Sequence, residues 1–173
     1  MNSSIMTSFR GPAACAALYC LLALLCMGVA SETQAKDVSM NTDMQHGLMR
    51  KKAHGDLDTV WKRLLDTLTA AKAPVFATVD HRANAQGAGL DMTGARVVIF
   101  GNPAVGTALM QAAPEAALDL PLKILVWESP DGVMLSWSDP AWIAGRYGAD
   151  PNLEVVAKMR GMLEKLTSAA AGS

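Results

Sequence analysis

The clearest periodic signal in the chain runs from Leu57 to Leu68. Leu57, Val60, Trp61, Leu64 and Leu68 recur at helical spacing, while Lys62, Arg63 and Asp66 occupy the other side. Asp56 stands where an N-cap belongs, because a carboxylate there accepts the free N–H groups of a first turn. A second stripe, Val156, Met159, Leu163 and Leu166, predicts a closing helix after Asp150-Pro151. Both stripes need something to cover.

Strand signals supply it. Gly47 to Ala53 reads as a first strand, and "PVFATVD" predicts a second over Val75 to Val79, β-branched and aromatic behind a proline. "RVVIF", Arg96 to Phe100, is apolar throughout, as a central strand should be. "LKILVWE" and "VMLSWS" flank "SPDG" and predict a hairpin, since proline and glycine suit a tight reversal. Asn102-Pro103 predicts a short helix over "AVGTALMQ", with a side-chain cap and proline at the first helical position. Asp139-Pro140 repeats the device before "AWIAGRYG", and Asp150-Pro151 repeats it again before the final helix. The expected order is strand, helix, strand, strand, short helix, strand, strand, helix, helix. A hairpin among helices argues for an α+β fold: one antiparallel or mixed sheet of about five strands with helices packed on one face. The connection between the second and third strands is long enough to leave their relative direction open.

The first 30 residues follow a different rule. They hold one charge, Arg10, then the apolar run "AACAALYCLLALLCMGVA", which ends on Gly28, Val29 and Ala30 before Ser31. A basic start, an apolar middle and a small-residue exit make a secretory signal peptide, and an uncleaved N-terminal anchor is the alternative. Neither Cys20 nor Cys26 follows a small residue, which argues against a lipoprotein. The expected organisation is a signal peptide at 1–30, a polar leader at 31–45 and one domain at 46–173. The expected location is periplasmic or secreted, or periplasm-facing if the anchor stays.

Three cysteines, Cys15, Cys20 and Cys26, all fall inside the segment expected to be removed. A cysteine-free mature chain excludes a disulfide scaffold, a thiol nucleophile and a thiolate metal site. Removing 1–30 also takes the balance from 15 basic against 16 acidic residues to 14 against 16. So weak a charge carries no nucleic-acid footprint. The "RKK" cluster at 50–52 reads as a solvated strand edge.

Three blocks, "FATVDHRANAQGAGL", "RVVIFGNPAVGTALMQAAPEAALDLPLKILVWE" and "LSWSDPAWIAGRYG", closely resemble the exported bacterial form of the family known as domain of unknown function 302. The similarity spans about Leu48 to Gly148. The resemblance implies a small α+β domain and brings no reaction or catalytic residue with it.

Candidate chemistry therefore rests on the residues themselves. In "TVDHRANAQGAGL", Asp80 is read as a cap, whereas His81 is a candidate site residue because small neighbours allow close approach. As a general base, His81 needs a carboxylate partner from another element, with Asp139 or Glu128 in view. Asn102 begins "NPAVGT", but this is no phosphate loop: Thr107 and Ala108 stand where lysine and a hydroxyl belong, and Pro103 removes a donor. Trp127 and Trp137 lie across the hairpin and could share a face, packing the sheet, and whichever is exposed could wall a pocket with Tyr147. Met44, His46 and Met49, with Met40 and His54, form a soft-donor cluster suited to Cu(I). No resident cofactor is expected. The partner is an unidentified small molecule or protein, the membrane is met only through the export signal, and a homodimer is compatible with an uncovered sheet face. The leading expectation is a small exported binding or accessory module. A hydrolase- or isomerase-type enzyme using His81 and a copper-handling leader are the alternatives.

Overall fold

A computed structural model describes residues 46–172, which lie within one unit, Thr42–Ser173. The expected signal peptide and the whole of the 31–45 leader, Met40 and Met44 included, fall outside the described residues. Five strands, β1 (Leu48–Lys52), β2 (Val75–Asp80), β3 (Ala95–Phe100), β4 (Leu122–Ser129) and β5 (Gly132–Ser138), form one sheet in the order β1-β5-β4-β3-β2. Every neighbouring pair is antiparallel. The helices are α1 (Leu57–Ala70), α2 (His81–Gly87), α3 (Pro103–Ala112), α4 (Pro140–Arg146) and α5 (Glu154–Ala171), with a 3-10 turn at Pro114–Leu118.

The predicted stripes become the core. Leu57, Val60, Leu64 and Leu68 of α1 and Val156, Met159, Leu163 and Leu166 of α5 are buried, and they cluster with Val98, Phe100, Ile124, Val126, Leu135 and Trp137 from one face of the sheet. Each such side chain contributes about 1.5–3 kcal/mol through the water it no longer orders. The opposite sheet face holds Val97, Ile99, Leu125, Trp127 and Met134, all only half-buried. Register separates the two faces: Val126 is opposite Leu135, and Trp127 is opposite Met134.

That register corrects one expectation. Trp137 lies in the core, while Trp127 lies on the other face and donates from Nε1 to Ser136 Oγ at 2.9 Å. The two indoles sit ten positions apart around a hairpin whose paired residues are an odd number apart, so they cannot point the same way.

The caps are mostly as expected. Asp56 accepts from Thr59 N–H at 2.7 Å, Asn102 from Ala104 N–H at 2.9 Å and Asp139 from Ala141 N–H at 3.0 Å. Asp150 departs from the pattern. Its Oδ1 accepts from Asn152 N–H at 2.9 Å within a turn, and α5 begins only at Glu154, four residues after Asp150 and behind Leu153. A local aspartate turn wins over capping here. Helix α2 was not in the expected order, and it buries none of its residues. The "RKK" segment does form an edge strand, whose Lys51 reaches Glu164 at 2.6 Å.

Candidate functional site

Strand direction sorts the candidate residues into two groups. Because β2 and β3 are antiparallel, Asp80 pairs with Arg96 at one end of the sheet, and Phe100, followed by Asn102, marks the other. His81 therefore cannot share a site with Asn102. Asp139 follows β5 at the Asn102 end, and Asp119, which Tyr147 contacts, precedes β4 at that same end. Trp127 lies toward the His81 end, opposite Ala95.

At the His81 end Asp80, Asp58 and Glu128 are already engaged. Asp80 accepts from Ala83 N–H at 3.0 Å and from Arg96 Nε at 2.8 Å, and Arg96 also reaches Asp58 at 2.6 Å. The Ala83 amide first, and then Arg96, hold the Asp80 carboxyl below its ordinary range. The hydrogen bonds it donates to Asp80 and Asp58 in turn raise the Arg96 guanidinium. Glu128 accepts from Gly94 N–H at 2.7 Å and lies 3.9 Å from Arg82. His81 opens α2 on the surface and is exposed. Asp139, one of its two envisaged carboxylate partners, is at the far end of the sheet, bonded to Arg160 at 3.1 Å.

The Asn102 end contains two distinct arrangements. Tyr147 Oη donates to Asp119 Oδ2 at 3.0 Å, and Arg146 reaches the same oxygen at 3.2 Å while its guanidinium lies over the rings of Trp142 and Tyr147. Burial first, and then the hydrogen bond to Asp119, push the Tyr147 phenol above its ordinary value. This cluster is self-satisfied. Beside it, Phe76, Gly101, Asn102, Pro103, Gly106, Thr107, Met110, Leu120 and Pro121 line a cleft of about 220 Å³. A smaller recess of about 30 Å³ adjoins it at Gly101, Asn102, Gly106 and Leu120 and runs to Leu122, Met159 and Met162. The walls are apolar. Of the sequence candidates, only Asn102 lines this cleft.

Local sequence explains the cleft. Pro103 starts α3 directly after β3, a cis Leu120–Pro121 peptide brings the chain back into β4, and a bulge between Val75 and Ala77 accompanies the outward placement of Phe76. None of the lining residues carries an ionisable group, so no chemistry-bearing side chain marks the cleft in the sequence. The detectable signal was the glycine pair Gly101 and Gly106 flanking the "NP" step.

A separate groove of about 320 Å³ is lined by Met49, Trp137, Asp139, Pro140, Arg160, Gly161 and Glu164. Met49 of the proposed soft-donor cluster is here, while His46 is exposed just before β1. Among the described residues no group of three or more His, Cys, Asp or Glu side chains is placed to hold a metal ion. Nor is any described helix long and apolar enough to cross a membrane.

Comparison with known proteins gives the fold and the family. The chain superposes on the crystal structure of an uncharacterised conserved DUF302 protein from Bacillus stearothermophilus with a TM-score of 0.64 at 18% identity, over 72% of this chain and 98% of that one. An 85-residue segment is 45% identical to a protein of Brucella suis biovar 1 (strain 1330) named fluoride-specific ion channel FluC 1, covering 49% of this chain and 34% of that protein. A protein of the same name from Brucella abortus biovar 1 (strain 9-941) matches at the same identity over 32% of its length. The chain thus spans about a third of those curated relatives. The model for domain of unknown function DUF302 matches residues 49–167, most of the chain and nearly all of its sheet and helices, and the protein belongs to that family.

Proposed function

We propose that this protein is an exported accessory module that binds a small molecule in the Asn102 cleft without converting it. The observation that carries this reading is the chemistry of the cleft wall. Proton transfer needs an ionisable group within reach of the reacting atom, and the lining offers glycine, proline, methionine, leucine and phenylalanine with only Asn102 and Thr107 as polar side chains. His81, the base of the enzymatic alternative, stands at the opposite end of the sheet.

Two further points support an accessory role. The 85-residue match to the named channels is longer than the stretch preceding residue 49, so it draws on the domain itself, and it is only a third of each relative. In those proteins a related segment accompanies a larger body of sequence, as an accessory domain would. The basic, apolar and small-residue succession over 1–30 supports export.

The test is a thermal-shift screen of the purified protein against a broad panel of small metabolites. A true ligand raises the melting temperature by mass action. Hits that bind at Asn102 and are recovered unchanged after long incubation are the expected outcome. Time-dependent consumption of a hit, lost in His81→Ala, would overturn the reading in favour of catalysis.

A further inference from the structure

Building on that reading, we infer that the Asn102 cleft is selective for a small uncharged amphiphile, an apolar body with a hydrogen-bond acceptor at one end. Asn102 supplies the polar contact. Its Oδ1 is committed to Ala104 N–H, and among the described residues no group accepts from its Nδ2. Asn102 is exposed at the rim of the apolar cleft, so its Nδ2 faces water in the free protein and can exchange that contact for a carbonyl, ester or hydroxyl oxygen. Thr107 adds one hydroxyl, and Phe76, Met110, Leu120 and Pro121 offer apolar surface and adaptable thioether.

Charge is the discriminating variable. Neither the cleft nor the adjoining recess is lined by a lysine, arginine, histidine, aspartate or glutamate side chain. An ionic head drawn into such a site loses its hydration with no counter-charge in return. Size sets the other limit. About 220 Å³ is below the ~300 Å³ at which drug-sized sites begin and equals roughly seven water-sized groups at ~30 Å³ each. A short acyl chain or one small ring fits.

Gly106 shows that the space is kept open at a cost. It lies inside α3, where glycine is a poor helix former, and its φ is not in the left-handed range. A Cβ added there would meet only Met110 Cε at 3.9 Å, an ordinary contact. Nothing in the domain's own packing requires glycine at this point. It lines both the cleft and the recess, so any side chain there projects into the volume a ligand would use.

The experiment uses methyl butanoate, butanoate and butylammonium as matched probes against the isotopically labelled protein, read from backbone amide resonances. The expected result is a saturable shift of Gly101, Gly106 and Leu120 with the ester and binding at least about tenfold weaker for both ions. Gly106→Leu should abolish the ester shifts with a melting temperature equal to or above wild type, and Gly106→Ala should raise it. Ester binding that survives in folded Gly106→Leu overturns the site. Ions binding as tightly as the ester overturn the ligand class while leaving the accessory-module reading intact. If no probe moves these resonances the inference fails. Hits from the thermal-shift screen that bind at Asn102 would then show that the broader reading survives it.

Discussion

Arg96 Nε donates to Asp80 Oδ2 at 2.8 Å from the position directly opposite on the neighbouring strand, and the same carboxylate caps α2 through Ala83 N–H. One side chain thereby ends β2, starts α2 and ties β2 to β3. Arg96 extends the tie to Asp58 in the first turn of α1. The aspartate beside His81 is thus a structural device.

Replacing it separates its two jobs. Asp80→Ala removes cap and ion pair together and should cost about 1–2 kcal/mol, most of it from the cap. Asp80→Asn keeps an acceptor for Ala83 and should cost less. Urea unfolding of the two variants at neutral pH checks the order, and equal losses would show that the cap contributes little.

Acid sensitivity follows from the same residue. The Asp80 carboxyl is held below its ordinary value of 3.8 by the Ala83 amide and then by Arg96. A depressed carboxyl favours the fold at pH values above its unfolded pKa, and that contribution disappears as pH falls through the lower folded value. The stability gap between wild type and Asp80→Asn should therefore be constant from about pH 5 to 7 and close below the ordinary value. Unfolding curves from pH 2 to 7 test this. A gap that widens on acidification would reverse the assigned sign.

How far the sequence could be read follows from which residues carry a hydrophobic signal. α1 and α5 announce themselves because Leu64 and Leu163 must be buried. The β4–β5 hairpin does so through apolar strands on either side of "SPDG". α2 has no such signal: "HRANAQG" buries nothing, so neither periodicity nor composition marks it. The cleft is silent for another reason. Phe76, Gly106 and Pro121 come from three separate stretches and become neighbours only through the antiparallel order of the sheet. Whether His81 could meet Asn102 depended on strand direction, which no local pattern encodes.

The two faces of the sheet make a prediction about tryptophan. Trp137 is buried in the core, and its replacement by alanine should cost about 3–5 kcal/mol. Trp127 is half-buried on the other face and held by one bond to Ser136, so Trp127→Ala should cost less than half as much. Denaturant titration compares them directly, and a reversed order would mean that the register of β4 against β5 is shifted by one residue.

Gly47 permits an approach that no other residue allows. Its φ is +62°, in the left-handed region, and a Cβ there would overlap the Trp142 indole. Its carbonyl also accepts from Asp139 N–H at 2.7 Å, fixing the entry to β1 beside the start of α4. Gly47→Ala combines left-handed strain of about 1–2 kcal/mol with overpacking of about 1–3 kcal/mol. A loss above about 2 kcal/mol is expected by urea unfolding. A loss of only about 1–2 kcal/mol, the strain alone, would show that Trp142 moves out of the way, and a loss under about 0.5 kcal/mol, below that strain, would show that position 47 is not held in the left-handed region.

Asn102 offers the sharpest separation of structure from function, because its amide has two ends with different tasks. Oδ1 caps α3, and Nδ2 is the donor assigned to the ligand. Asn102→Asp keeps an oxygen for Ala104 N–H and places a charge where a helix N-terminus favours it, so stability should stay within about 0.5 kcal/mol of wild type. The same change deletes the donor and sets a negative charge at the rim of the cleft, so an ester or alcohol should bind markedly more weakly. Asn102→Ala should do both harms, losing about 1 kcal/mol of stability along with the ligand contact. Melting temperature and ester titration on the two variants together decide the matter: if Asn102→Asp binds the ester as wild type does, the polar end of the ligand is held elsewhere, and Thr107 is the remaining polar side chain in the wall.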